Sequence, residues 1–242
     1  MGGKGGAFLA ASFDRMISQS FTDFEVIVSD QSDTDDVAQI CARYGTQLTI
    51  IRVDNRDGMR AASANTNSAL RHANGDVVKI LFQDDLLKGD TALEQTMAAF
   101  QDLSIKWLLC GSGVSYDGST VERPMVPKMH DAIEFGVNTV SSPSVLAMRR
   151  GDVLEFDENL IWLMDVDIYK RLQLAHGAPA ILDDTLIINR LHAGQVSAGV
   201  SRKLQRHELR YVRKKFANAA QSGTTSVFLK RYLKALRPQR RR

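Results

Sequence analysis

No apolar run in this sequence approaches the roughly 18 residues that span a bilayer, and its start, MGGKGG, lacks the apolar core of a signal peptide. A soluble, cytoplasmic protein is therefore expected. There are only two cysteines, Cys41 and Cys110, both in apolar periodic surroundings without a CxxC or a nearby His. Buried thiols are expected, with neither a disulfide framework nor a thiolate metal site. No GxGxxG follows the first extended segment, which removes the dinucleotide-binding fingerprint, and no internal repeat is present. What the sequence does have is ordinary globular composition, 44% apolar and 24% charged over 242 residues, enough for one large domain with a full core.

The net charge of +3 conceals a division. Residues 1–201 carry 17 Lys and Arg against 27 Asp and Glu; residues 202–242 carry 14 basic residues and a single acid, Glu208. This reads as an acidic domain over 1–201 followed by a basic helical extension over 202–242.

Helical and extended patterns alternate along the first half. Leu9, Phe13, Met16 and Ile17 share a helix face before the apolar run Phe24 to Ser29; Val37, Ile40, Cys41 and Tyr44 repeat the pattern before 47–53. An Ala- and Asn-rich helix over 61–73 precedes a strand over 76–82, and a helix through Leu93, Met97 and Phe100 precedes 105–110. The order implies an α/β fold with a mostly parallel sheet. Further on, a hairpin is expected around Asp117-Gly118, then strands at 144–148, 180–183 and 185–190, and a helix over 163–176. Two helices fill 202–236, the second with Phe228, Leu229, Tyr232, Leu233 and Leu236 on one side.

Ligands of open α/β sheets bind beyond the carboxyl ends of the strands. Two strands deliver acids there: Asp30-Gln31-Ser32-Asp33, and Gln83-Asp84-Asp85. One carboxylate of the pair on a divalent cation and one on a ribose is a consistent division; an acidic turn capping a helix is the plainer alternative. Of the acids in Trp162-Leu-Met-Asp165-Val-Asp167, Asp167 has Arg171 at i+4 to satisfy it on the surface, whereas Asp165 has no local partner. Asp165 is either an acid at a helix N-terminus or a general base. Arg60, Arg190 and His192 offer groups for a diphosphate or a metal, with Arg190 and His192 pointing the same way in an extended segment. Trp162 is either core or an exposed stacking platform.

Taken together, Gln19 to Ser32, the helix through Asn65 and Asn67, Gly75 to Asp85, and Trp162 to Leu172 resemble the inverting family 2 glycosyltransferases of the GT-A fold. The likeness covers roughly residues 8–195. It implies a GT-A sheet with flanking helices and transfer of a sugar from a nucleotide-diphosphate sugar to a hydroxyl on a glycan or lipid-linked acceptor, with Mg²⁺ or Mn²⁺ as cofactor. By the same resemblance Asp165 is the catalytic base and Asp30 and Asp84 contact the nucleotide; Ser32 beside Asp30 and the positive Arg60 are expected to join them in binding the nucleotide sugar. Asp85 is the metal ligand, His192 lies near the metal or diphosphate, and Trp162 faces the acceptor. Members of that family open with an apolar strand where this chain has MGGKGG, so a strand and one wall of the base pocket are expected to be missing. That favours, as an alternative, a catalytically impaired nucleotide-binding or interaction protein. A nucleotidyltransferase is disfavoured, because no Gly-rich loop with a basic residue follows the first strand. The basic helices match a peripheral position on the inner face of an anionic membrane, and their few aromatics speak against nucleic acid.

Overall fold

The computed structural model describes residues 2–192, 199–219 and 223–237. Helix α1 spans Gly2–Ile17, so residues 2–6 lie within a helix. There follow β1 (Val26–Asp30), α2 (Asp36–Tyr44), β2 (Ile50–Asp54), α3 (Ala62–Leu70), β3 (Val77–Lys79), β4 (Asp85–Leu87), α4 (Ala92–Ala99) and β5 (Trp107–Ser115). The second half holds β6 (Glu122–Met125), β7 (Leu146–Arg149), α5 (Met164–His176), β8 (Ala180–Arg190), α6 (Arg202–Lys215) and α7 (Thr224–Leu236).

The α/β class expected from the alternation holds, but a mostly parallel sheet does not. Strands β1 and β2 form a parallel pair of their own, and the larger sheet runs β3-β7-β5-β8-β4 with β6 beside β5. Within it only β5 and β8 are parallel. Strand β7 lies antiparallel between β3 and β5, so two strands that share a direction are separated by a later insertion. A cavity of about 840 Å³ is bordered by β1 on one side and β3 on the other, with α1, α3 and α4 around it.

Strand β5 is buried along nearly its whole length, the pattern of a strand covered on both faces. The two strand pieces expected at 180–183 and 185–190 are one strand, β8, with a register shift at Asp183-Asp184 against Cys110-Gly111. Gly111 is required there: a Cβ would stand 2.8 Å from the Asp183 carbonyl and 2.7 Å from that of Asp184. Gly111→Ala is therefore expected to cost about 1–3 kcal/mol of stability, read from the midpoint of a urea unfolding curve.

The main core gathers β5, β7, β8 and α5 with Leu209, Val212, Phe216, Phe228 and Ala235 from the basic segment. At roughly 1.5–3 kcal/mol per buried large apolar side chain, α6 and α7 are part of the body they cover. A second cluster under α1 and α2 contains Cys41; Cys110 lies in the main core, and both thiols are free and buried as expected. The stripe expected on α7 divides: Phe228 is buried, whereas Leu229, Leu233 and Leu236 are about half exposed. No helix among the described residues is long and apolar enough to cross a membrane.

Candidate active site

Asp30 closes β1 and is 2% exposed. Its Oδ1 accepts from the Ser32 amide at 2.9 Å and the Ser32 hydroxyl at 2.5 Å, and its Oδ2 from Arg52 Nε at 2.9 Å. Burial alone would raise this carboxyl, but those bonds and the Arg52 charge hold it below the ordinary range. Arg60, exposed, is engaged by the carboxylate of Asp33.

The acidic pair lies where the chain turns into β4, and its two carboxylates part. Asp85 is 4% exposed and accepts from the Ser142 hydroxyl at 2.8 Å, with Ser144 and Asn189 also bonded to it. Burial, then the charge of Asp84, pushes its carboxyl upward against those bonds. Asp84 faces outward, and its Oδ2 lies 3.1 Å from His192 Nε2. Arg190 donates to the carbonyls of Asp84 at 2.6 Å and Gln83 at 3.2 Å. Arg190 and His192 do point the same way: both rest against the ring of Phe8, at 4.5 and 4.8 Å.

Asp165 sits in the first turn of α5. Its Oδ2 accepts from Asn138 Nδ2 at 2.8 Å and its Oδ1 from the Val166 amide at 2.9 Å. Desolvation outweighs these bonds and pushes the carboxyl up to about 6, with the charge of Glu208 adding to the rise. Asp167 pairs with Arg171 at 2.7 Å as expected, but it is fully buried and not on the surface. Lys215 from α6 covers it, bonding Asp167 at 2.7 Å and Asp157 at 2.6 Å. Trp162 packs over Gly136, whose φ of 79° and missing side chain leave room for the indole.

The segment 138–142 joins the two acidic centres, and sequence reasoning passed over it. Asn138 holds Asp165 and donates to the Ser141 carbonyl at 3.0 Å; Ser142 holds Asp85 and accepts from Asn189 at 2.8 Å. Ser141 bonds both Ser112 and Asn189 at 2.9 Å. Its φ of 109° is left-handed backbone on a residue with a side chain, a strain that ordinary loops avoid. The Asn and Ser-Ser-Pro composition was the available signal for a turn.

The family model "Glycosyl transferase family 2" matches residues 4–171. The chain belongs to this family. Among curated proteins it is similar to the glycosyltransferase GlyG of Streptococcus pneumoniae, 25% identical over 117 residues, which are 47% of this chain and 37% of GlyG. Among solved structures it is similar to residues 1–349 of S. aureus TarS in complex with UDP-GlcNAc, with a TM-score of 0.71 and 18% identity over 96% of this chain and 69% of that one. The mannosyltransferase PcManGT of Pyrobaculum calidifontis, in complex with GDP-Man and Mn²⁺, gives a TM-score of 0.62 at 17% identity, over 95% of this chain and 65% of that one. These likenesses establish the GT-A fold for this family 2 chain. The chain spans well under half of GlyG's length.

Proposed function

We propose that this family 2 chain transfers a sugar from a nucleotide-diphosphate sugar to a hydroxyl of a glycan or lipid-linked acceptor, with inversion. The observation that carries the reading is Asp165, a carboxyl near pKa 6 joined to Asp85 by the 138–142 segment. A base of that strength takes the acceptor's proton as its oxygen attacks the anomeric carbon. Asp30 and Ser32 face the nucleotide, Arg60 exchanges Asp33 for the diphosphate, and the exposed part of Trp162 meets the acceptor.

For the metal, the donor chemistry fits Asp84 with His192 better than Asp85 with His192. Asp84 and His192 are each about a third exposed and within 3.1 Å, whereas Asp85 is enclosed by its own hydrogen bonds. A carboxylate and an imidazole suffice for Mg²⁺ or Mn²⁺, which keep waters and take phosphate oxygens; no larger His, Cys, Asp and Glu group occurs among the described residues. When bound, the ion would neutralise the diphosphate leaving group. We therefore move the metal role from Asp85 to Asp84 and assign Asp85 to anchoring Ser142. The exposed Leu229, Leu233 and Leu236, flanked by Lys230, Lys234 and Arg237, support a peripheral contact with an anionic membrane.

Incubation with UDP- and GDP-sugars, Mn²⁺ and a hydroxyl acceptor tests the reading. Nucleoside diphosphate release that depends on acceptor is expected, with the anomeric configuration of the product inverted by NMR. The cavity between β1 and β3 beside Asp30 favours a second reading, a nucleotide-binding protein without turnover. Saturable nucleotide binding with no release would decide for it.

A further inference from the structure

Helix α5 receives no side-chain cap from its N-cap residue. That residue is Leu163, whose side chain accepts nothing, yet the leading N–H groups of any helix need partners. The N-cap amide of Leu163 finds one in Glu208, 45 residues away on α6, as do the two amides that precede it. Glu208 Oε1 accepts from the Ile161 amide at 2.9 Å, and Oε2 from the Trp162 amide at 3.0 Å and the Leu163 amide at 2.9 Å. The side chain is fully buried, and it is the single acid among the 14 basic residues of 202–242. A carboxylate at a helix N-terminus is further favoured by the macrodipole. Leu209 and Val212, both fully buried, and the Lys215 bridge to Asp157 and Asp167 fix α6 against the same helix.

We propose that Glu208 is a positioning residue: its carboxylate caps the 161–163 turn and so sets where α5 presents Asp165 and Trp162 to the site. This rests on the reading of Asp165 as the base. A buried acid on the basic segment thus makes α6 a working part of the active site, not only a cover for the core. Its charge also acts on the base, since Asp165 ionises less readily beside it; burial raises the carboxyl of Glu208 itself against the bonds from the three amides.

In Glu208→Gln one acceptor oxygen becomes an NH₂ facing N–H donors, and the negative charge is gone. A folded chain of lower Tm is expected, with kcat reduced about 10- to 100-fold, donor KM little changed, and the acid limb of the kcat profile moved to lower pH. The ¹³C-carboxyl titration of Asp165 should move down with it, a readout that needs no turnover. Glu208→Asp keeps the charge but withdraws it by one methylene, so kcat should fall while the acid limb stays. Wild-type kcat and an unmoved limb in Glu208→Gln would overturn the proposal; so would wild-type kcat in Glu208→Asp, should the Gln variant fail to fold. If instead Asp165→Asn retained transfer, the base reading itself would be at fault. An inactive Asp165→Asn beside an unaltered Glu208→Gln would sink the positioning role alone.

Discussion

Asp165→Asn is expected to cut kcat by ~10²- to 10⁴-fold while making the protein more stable above pH 6. Both effects come from one cause. Asp165 is partly covered and its carboxyl poorly solvated, and it titrates at about 6 against an ordinary 3.8. Above pH 6 the folded chain carries an ionised group that it would rather hold protonated. Because the folded value is raised, the folded state binds the proton more tightly than the unfolded chain. Stability from this group is therefore present below the ordinary value and lost as pH rises from about 4 to 6. Asparagine removes that cost, on the order of 1–3 kcal/mol, and keeps one oxygen for Asn138, while its NH₂ faces the Val166 amide and offsets part of the gain. A thermal melt at pH 7.5 should show the variant higher by several degrees, and the gap should close at pH 4. In the wild type, kcat/KM should decline about tenfold per unit of pH below 6, as the base is protonated. Full transfer by the Asn variant, or a wild-type rate that is flat from pH 7 to 5, would remove Asp165 from the chemistry.

The features legible in the sequence are those in which a residue and its partner are close along the chain. The Asp167–Arg171 pair follows from i,i+4 spacing, and the burial of Cys41 and Cys110 from their apolar periodicity. The α/β alternation gave the class, but it carries no information about which later strand enters between two earlier ones, and β7 does so antiparallel. On α7 the spacing defined a wide apolar stripe without saying which part meets the core. The answer depends on α6, which takes Phe228 and leaves Leu229, Leu233 and Leu236 outside. Glu208 was invisible for the same reason. In a basic segment a single acid reads as a solvated charge until the fold sets three backbone amides against it. The 138–142 segment shows the limit most clearly, since its worth lies in a left-handed Ser141 and in partners on β5, β8 and α5.

Asp84→Asn is expected to lower kcat/KM by about 100-fold and to raise the Mn²⁺ concentration needed for half-maximal rate. Asp85→Asn should leave that metal requirement where it is. The difference follows from where the two carboxylates point. Asp84 stands beside His192 with its oxygen partly exposed, so an ion arriving with a nucleotide diphosphate meets two donors already side by side. Asp85 is buried beneath them, and its oxygen is already taken by the Ser142 hydroxyl. An ion at Asp85 would have to break that bond and enter a dry place; the buried hydroxyl and amide left behind would cost about 1–3 kcal/mol each. Asn at 85 still offers one oxygen to Ser142, so its main effect should be a lower Tm and a looser 138–142 segment, with kcat reduced through Asp165's support. Titrating Mn²⁺ against initial rate in both variants separates the two roles. A metal requirement that moves in Asp85→Asn and stays fixed in Asp84→Asn would return the metal to Asp85 and leave Asp84 to the ribose or diphosphate.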